Sequence, residues 1–192
     1  MIKVIAFDYA GVVIPGPMTQ WVRNNLHETD QMWKKYVENS NRWDKGELSL
    51  ERVYEILSEI TGIPKEQIWE KFYSKAELNE DVVEIIKKLK RNYKVFLFSN
   101  FVSELLRKLL ESHKITDIFD EIIISSEYKM RKPDPRFYEL LLKTAGVKAE
   151  EILFIDDRQE NIEAAKVFGI NTVLFKDVKT LKDNLKLMQL SF

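Results

Sequence analysis

The sequence predicts an α/β protein, a doubly wound parallel sheet with an all-helical block inserted after the first strand. Two observations carry this. Short, largely apolar runs (Val95-Phe96-Leu97-Phe98, Ile122-Ile123-Ile124, Ile152-Leu153-Phe154-Ile155 and Thr172-Val173-Leu174-Phe175) alternate with amphipathic stretches of helical spacing, the pattern of parallel strands covered by helices on both faces. A further apolar run, from Ile2 to Phe7, stands apart from the others, separated from them by a segment that reads as helix throughout.

The first run ends abruptly at Asp8 and is followed by Ala10 and Gly11, which reads as a buried strand delivering one carboxylate at its carboxyl end. Pro15-Gly16-Pro17 then breaks the chain. Trp21, Val22 and Leu26, followed by Met32, Trp33, Tyr36 and Val37, recur at helical spacing, and Asn39 to Gly46 reads as a polar turn. Ser49 caps a helix through Val53, Ile56, Leu57 and Ile60 that Gly62 stops. Pro64 suits the first turn of the next helix, through Ile68, Trp69 and Phe72. Residues 15–79 are therefore expected to form a helical cap, with 1–14 and 80–192 forming the α/β core. Within that core Asn79 caps a helix carrying Val82, Val83, Ile86 and Leu89; a second helix carries Leu105, Leu106, Leu109 and Leu110. A third runs from Pro135 to Ala145 and stops at Gly146, and a fourth from Ile162 to Phe168 and stops at Gly169. Insertions at the carboxyl ends of strands sit over the ligand site, where a lid belongs.

Composition narrows the chemistry. A net charge of -1 over 192 residues argues against a broad nucleic-acid or anionic-membrane surface. With no cysteine there is no disulfide, thiolate nucleophile or thiolate-bound metal, and two histidines, His27 and His113, are too few for a histidine metal site. No apolar stretch is long enough to span a bilayer. The N-terminus enters a strand almost at once, so no signal peptide is expected and the location expected by default is cytoplasmic.

Polar groups gather at the strand ends: Asp8 after the first, Ser99-Asn100 after the second, the loop Lys129-Met130-Arg131-Lys132-Pro133-Asp134 after the third, and Asp156-Asp157 after the fourth. Parallel topology brings these to one edge of the sheet. Each alone has an ordinary reading as a cap, a turn or a solvated loop. Together they are carboxylates, a hydroxyl, an amide and a lysine. Several carboxylates in one crevice repel unless a cation lies between them, and hard oxygen ligands suit Mg²⁺ shared with a phosphate. Lysine, hydroxyl and amide groups are what phosphate oxygens need. A carboxylate such as Asp8 attacks phosphorus to form an aspartyl-phosphate, with Lys132 stabilising charge in the transition state.

Four segments then resemble the motifs of the haloacid dehalogenase superfamily: Phe7-Asp8-Tyr9-Ala10-Gly11-Val12, Leu97-Phe98-Ser99-Asn100, Arg131-Lys132-Pro133-Asp134-Pro135 and Phe154-Ile155-Asp156-Asp157-Arg158-Gln159-Glu160-Asn161. The cap segment Trp43-Asp44-Lys45-Gly46-Glu47-Leu48-Ser49 is similar to one branch, which includes sugar-phosphate phosphatases and the phosphatase domain of soluble epoxide hydrolase. The resemblance implies Asp8 as nucleophile and metal ligand, and Ser99, Asn100 and Lys132 as holders of the phosphoryl group. It implies Mg²⁺ held by Asp8, the Ala10 backbone carbonyl, Asp156 and Asp157, with Asp157 favoured for direct contact. The expected substrate is a small phosphorylated metabolite, and a homodimer through the cap is allowed.

The sequence departs from the family at Ala10, where most members carry a second Asp as acid–base. Loss of such a group costs about 10²–10⁴ in rate. The alternatives this opens are a substrate whose leaving group needs little protonation, a phosphonoacetaldehyde-hydrolase-like C–P hydrolase with Lys34, Lys35 or Lys45 as the Schiff-base lysine, a dehalogenase (against which Asp156 and Asp157 argue), and a catalytically weak phosphate- or protein-binding relative. Trp21, Trp33, Tyr36, Trp43 and Asp44 are the cap residues considered for a pocket, with packing inside the cap expected for most of them and one or two expected to see substrate.

Overall fold

The computed structural model describes residues 1–15, 18–26 and 29–192, with the side chains of Met18, Gln20, Thr29 and Asp30 left aside. Gly16 and Pro17 of the expected breaker, and His27, lie outside the described residues.

A five-stranded sheet in the order β3-β2-β1-β4-β5 forms the centre. Its strands are β1 (Val4–Phe7), β2 (Lys94–Ser99), β3 (Glu121–Ile124), β4 (Ile152–Asp156) and β5 (Asn171–Leu174), every neighbouring pair parallel. The chain winds outward from β1 through β2 to β3 and then crosses to β4 and β5 on the other side, so β1 and β4 flank the point where strand order reverses. That is where ligands bind in such sheets. Register fixes what meets there: Phe7 pairs with Leu97 on one side and Ile155 on the other, placing Asp8 level with Asp156 and one residue short of Ser99.

Alternation along each strand divides the core. Val4 and Ala6 of β1, Phe96 and Phe98 of β2 and Phe154 of β4 face α8 (Pro135–Ala145) and α9 (Gln159–Val167), through Phe137, Tyr138, Leu141, Ile162 and Ala165. Ile5, Phe7, Val95, Leu97 and Ile155 face the opposite way, onto α5 (Glu80–Leu89), α6 (Ser103–Ser112) and α10 (Val178–Leu187). The helices start and stop as their end residues dictate. Asn79 accepts from the Val82 amide and Ser49 from the Arg52 amide, while Gly62 and Gly146 take left-handed conformations that close α3 (Leu50–Thr61) and α8. Asp177 caps α10, accepting from the Thr180 amide at 2.7 Å; this helix is an element beyond those read from the sequence, as is the short α7 (Ser125–Tyr128).

Between β1 and α5 lie α1 (Met18–Asn25), α2 (Thr29–Asp44), α3 and α4 (Lys65–Tyr73). Their apolar faces, including Trp21, Ile56, Ile60 and Phe72, join the same buried cluster as Tyr9, Val12 and Val13. The Asn79 amide donates to the Val13 carbonyl at 2.8 Å, so the two ends of the helical segment lie side by side. One expectation is corrected: Asn39 to Asp44 is not a turn but the last turns of α2, with the chain turning only at Lys45-Gly46. The polar side chains fold back onto the helix, Asn39 donating to the Lys35 carbonyl and Ser40 to that of Val37. No helix among the described residues is long and apolar enough to cross a membrane.

Candidate active site

Asp8 follows β1 directly and is 5% exposed. One of its oxygens, Oδ1, accepts from the Tyr9 amide at 2.7 Å and from the Ser99 hydroxyl at 2.8 Å, and lies 3.1 Å from Lys132 Nζ. These three donors converge on one oxygen. Alternation does the rest: Tyr9 is buried with its ring edge-on to Phe101 at 5.9 Å, while Asp8 and Ala10 line the cavity.

Lys132 is 1% exposed, and its ammonium has a partner for every proton. It donates to the Phe98 carbonyl at 2.8 Å and to Asp156 Oδ2 at 2.6 Å, besides facing Asp8. Burial alone would lower its pKa, but Asp156 and Asp8 outweigh that and hold it above the usual value. Asn100 sets this lysine in place. Its Nδ2 donates to the Lys132 carbonyl at 2.9 Å, and its Oδ1 accepts from the Lys132 amide at 2.7 Å. In this arrangement the Ser99 proton goes to Asp8 and the Asn100 amide goes to the lysine backbone.

Asp156, fully buried, accepts from the Arg158 amide at 2.8 Å, from Lys132, and from Asn161 Nδ2 at 3.0 Å on each oxygen. Asp157 has no such enclosure and sits on the cavity wall. Gly11, at φ +91°, passes so close that a Cβ there would collide with the Asp157 carboxylate, so glycine is required on both conformational and steric grounds. The Ala10 carbonyl accepts none of the backbone bonds of this turn, three of which end on the Tyr9 carbonyl instead.

Asp8, Asp156 and Asp157 can each bring an oxygen within 4.8 Å of the others. Like charges so close are unfavourable: burial first, and then Asp156 and Asp157, push the Asp8 carboxyl up to about 7 against the pull of Lys132 and Ser99. Loss of solvation and Asp156 raise Asp157 as well. An all-oxygen donor set whose members resist ionising together fits a hard divalent cation. Asn161 lines the cavity and adds to the fit, since its buried Oδ1 has no hydrogen-bond partner among the described residues.

The cavity above this edge has a volume of about 550 Å³, the size of a small-molecule site. Its far wall is the cap. Trp33, Tyr36, Trp43 and Asp44, four of the five cap residues considered from sequence, line it, and Tyr36 and Trp43 are at the same time buried in the packing of the cap. Trp21 does not line it, and packs edge-on against Phe72 at 5.8 Å. Trp33 stacks on Tyr36 at 5.2 Å, and Trp43 meets Tyr36 edge-on at 5.5 Å, which makes a continuous aromatic wall. Arg23, Arg131 and Arg158 stand around it. The last two lie inside segments singled out in the sequence, but nothing in their spacing distinguishes them from solvated loop residues. Of the lysines weighed for a Schiff base, none lines the cavity; Lys34 and Lys35 pair with Glu38 and Glu59 on the cap surface. His113 closes α6 beside Tyr73 at 5.2 Å and does not line the cavity.

A parallel sheet of this order carries a buried carboxylate, a buried lysine and paired acids at its carboxyl edge, the arrangement of a class of hydrolases. The haloacid dehalogenase-like hydrolase family model matches residues 2–169, and the chain belongs to that family. Its relatives include a sesquiterpene phosphatase, astK, of Aspergillus oryzae, 30% identical over 88% of this chain and 87% of that protein. A D-ribitol-5-phosphate phosphatase of Bacteroides thetaiotaomicron is 25% identical over 90% of this chain and 91% of that protein. Among solved structures, a family enzyme from Bacteroides thetaiotaomicron in complex with magnesium and inorganic phosphate superposes with a TM-score of 0.70 at 23% identity, covering 92% of this chain and 95% of that one.

Proposed function

We propose that this hydrolase is a Mg²⁺-dependent phosphatase that acts on a small phosphorylated metabolite through an aspartyl-phosphate at Asp8. The observation that carries the reading is the convergence of the Tyr9 amide, Ser99 and Lys132 on one oxygen of Asp8. They fix the carboxylate and leave Oδ2 as the attacking atom. Lys132, held by Asp8, Asp156 and the Phe98 carbonyl, sets a fixed positive charge directly behind the nucleophile, and a preorganised buried cation offsets negative charge that develops at the site. Asp8, Asp157 and the Ala10 carbonyl would hold the cation, with Asp156 behind them orienting Lys132. When bound, Mg²⁺ neutralises repulsion between the carboxylates and the incoming phosphate. Phosphatase relatives at 30% and 25% identity support the reaction class.

The test is phosphate release from a panel of sugar-1-phosphates, acetyl phosphate and phosphonoacetaldehyde, with Mg²⁺ and with chelator. Release from the phosphoesters that needs Mg²⁺ and falls to background in Asp8→Asn is expected, together with phosphate trapped on Asp8 by acid quench. Acetaldehyde as the product, with no phosphoester turned over, refutes the proposal.

A further inference from the structure

We infer that Asp44, at the end of α2 in the cap, is the acid–base of the phosphatase reaction proposed above, occupying from across the cavity the role that Ala10 leaves vacant. The inference rests on that reading of the site. Ala10, Asp8 and Asp44 line one cavity. Among the described residues the only carboxylates that line it are Asp8, Asp44 and Asp157, and no histidine, glutamate or lysine does. Asp8 is the nucleophile and Asp157 belongs to the cation cluster, so Asp44 alone is unassigned. The Tyr36 hydroxyl is no substitute, since it is bonded to Thr19 at 3.0 Å and burial pushes it up to about 12.

Asp44 is a cap residue, yet it is fastened to the core. The Ser125 hydroxyl donates to the Asp44 carbonyl, Lys129 donates to the Gly46 carbonyl, and Arg131 donates to Asn41. Gly46, at φ +61°, lies so close to the Ser126 carbonyl that no side chain fits between them. The segment that grips Asp44, from Ser125 to Arg131, leads directly into Lys132, so the acid and the cation beside Asp8 are positioned by one piece of chain. The Asp44 side chain is 15% exposed, and its ion pair with Arg131 runs from Nη2 to Oδ2 at 3.4 Å. It is also faced by Lys132 and Arg158 from the core and Tyr36 from its own helix. Burial outweighs the three cations and raises the carboxyl to about 6, close to where a group serves both as acid and as base near neutrality.

The chemistry balances. Asp8 Oδ2 bonds to phosphorus as the bond from phosphorus to the ester oxygen breaks, and the Asp44 proton goes to that oxygen to release an alcohol. Asp44, now a carboxylate, takes a proton from water as the water oxygen bonds to phosphorus. The bond from phosphorus to Asp8 then breaks, releasing inorganic phosphate and restoring both aspartates.

Rapid-quench measurement of phosphoenzyme formation separates the possibilities, using an alkyl phosphate and 4-nitrophenyl phosphate with the Mg²⁺-loaded protein. In Asp44→Asn, formation from the alkyl phosphate is expected to fall by about 10²–10⁴ and to lose its alkaline pH limb. Formation from 4-nitrophenyl phosphate, whose leaving group needs no proton, changes little, while breakdown of the phosphoenzyme slows. Adding Ala10→Asp to Asp44→Asn restores the alkyl reaction, which a merely structural role for Asp44 would not allow. Equal losses on both substrates without that rescue, or no loss on either, overturn the inference. If the wild-type protein releases phosphate in an Asp8-dependent way and Asp44→Asn matches it, only the inference falls. Absence of any Asp8-dependent release overturns both readings.

Discussion

The two walls of the cavity are built differently. On the core side three groups are each fixed several times over: Asp8 by three donors on one oxygen, Lys132 by three acceptors, Asp156 by Lys132, Asn161 and the Arg158 amide. These contacts issue from strands whose register is set by the sheet. On the cap side the wall is mostly aromatic, and its polar ties to the core are few: Ser125 to Asp44, Lys129 to Gly46, and Arg131 to Asn41 and Asp44. The difference separates duties. The core wall holds its charged atoms at fixed positions, and the cap wall, Asp44 apart, offers shape and apolar surface that can change without disturbing them.

The sharpest way to break the core wall is Lys132→Met. It leaves Asp8 and Asp156 as facing carboxylates without their shared cation, and removal of one partner from a buried pair costs about 3–5 kcal/mol. A lowered urea midpoint and loss of phosphate release are expected; a variant as stable as the wild type would show that the ion cluster is not what holds this edge together. Next comes the charge balance itself. Asp8 and Asp44 sit at about 7 and about 6, against an ordinary 3.8. Between roughly pH 4 and 7 these two carboxyls hold more protons in the folded chain than in the unfolded one, so the stability they contribute to the metal-free protein is lost as pH rises through that window. Melting curves at either end, with chelator and with Mg²⁺, should show Mg²⁺ restoring stability on the alkaline side, and restoring less in Asp8→Asn. The smallest effect is on the cap. Gly46→Val puts a β-branched residue at a positive φ against the Ser126 carbonyl, a backbone cost of about 1–3 kcal/mol. Weaker substrate binding is expected, with phosphoenzyme formation from acetyl phosphate retained. Loss of that formation as well would mean that the two walls are not independent.

Much of this was legible in the sequence, and the reasons are local. A strand buried on both faces must be apolar along its length, so Val95 to Phe98 and Ile152 to Ile155 declare themselves, and the polar residue that ends each run marks the sheet edge. Ser49, Asn79, Gly62 and Gly146 mark helix ends because unsatisfied amides and left-handed turns select those residues. Asn39 to Asp44 misled because polar side chains that bond back to helix carbonyls look, in sequence, like those of a turn. The aromatic wall was ambiguous for a similar reason: helical spacing of Trp33, Tyr36 and Trp43 says that one helix face is apolar, not whether that face meets a core or a cavity.

By itself the sequence determined the sheet, the helical insertion and the acids, amide and lysine at the strand ends, because burial and capping act over a few residues. Only the tertiary structure decided that three donors share one oxygen of Asp8, that Gly11 yields its side-chain space to Asp157, and that Asp44 is clamped beside Arg131. Those relations join residues as many as 146 positions apart, as Gly11 and Asp157 are, and distance along the chain carries no record of distance in space.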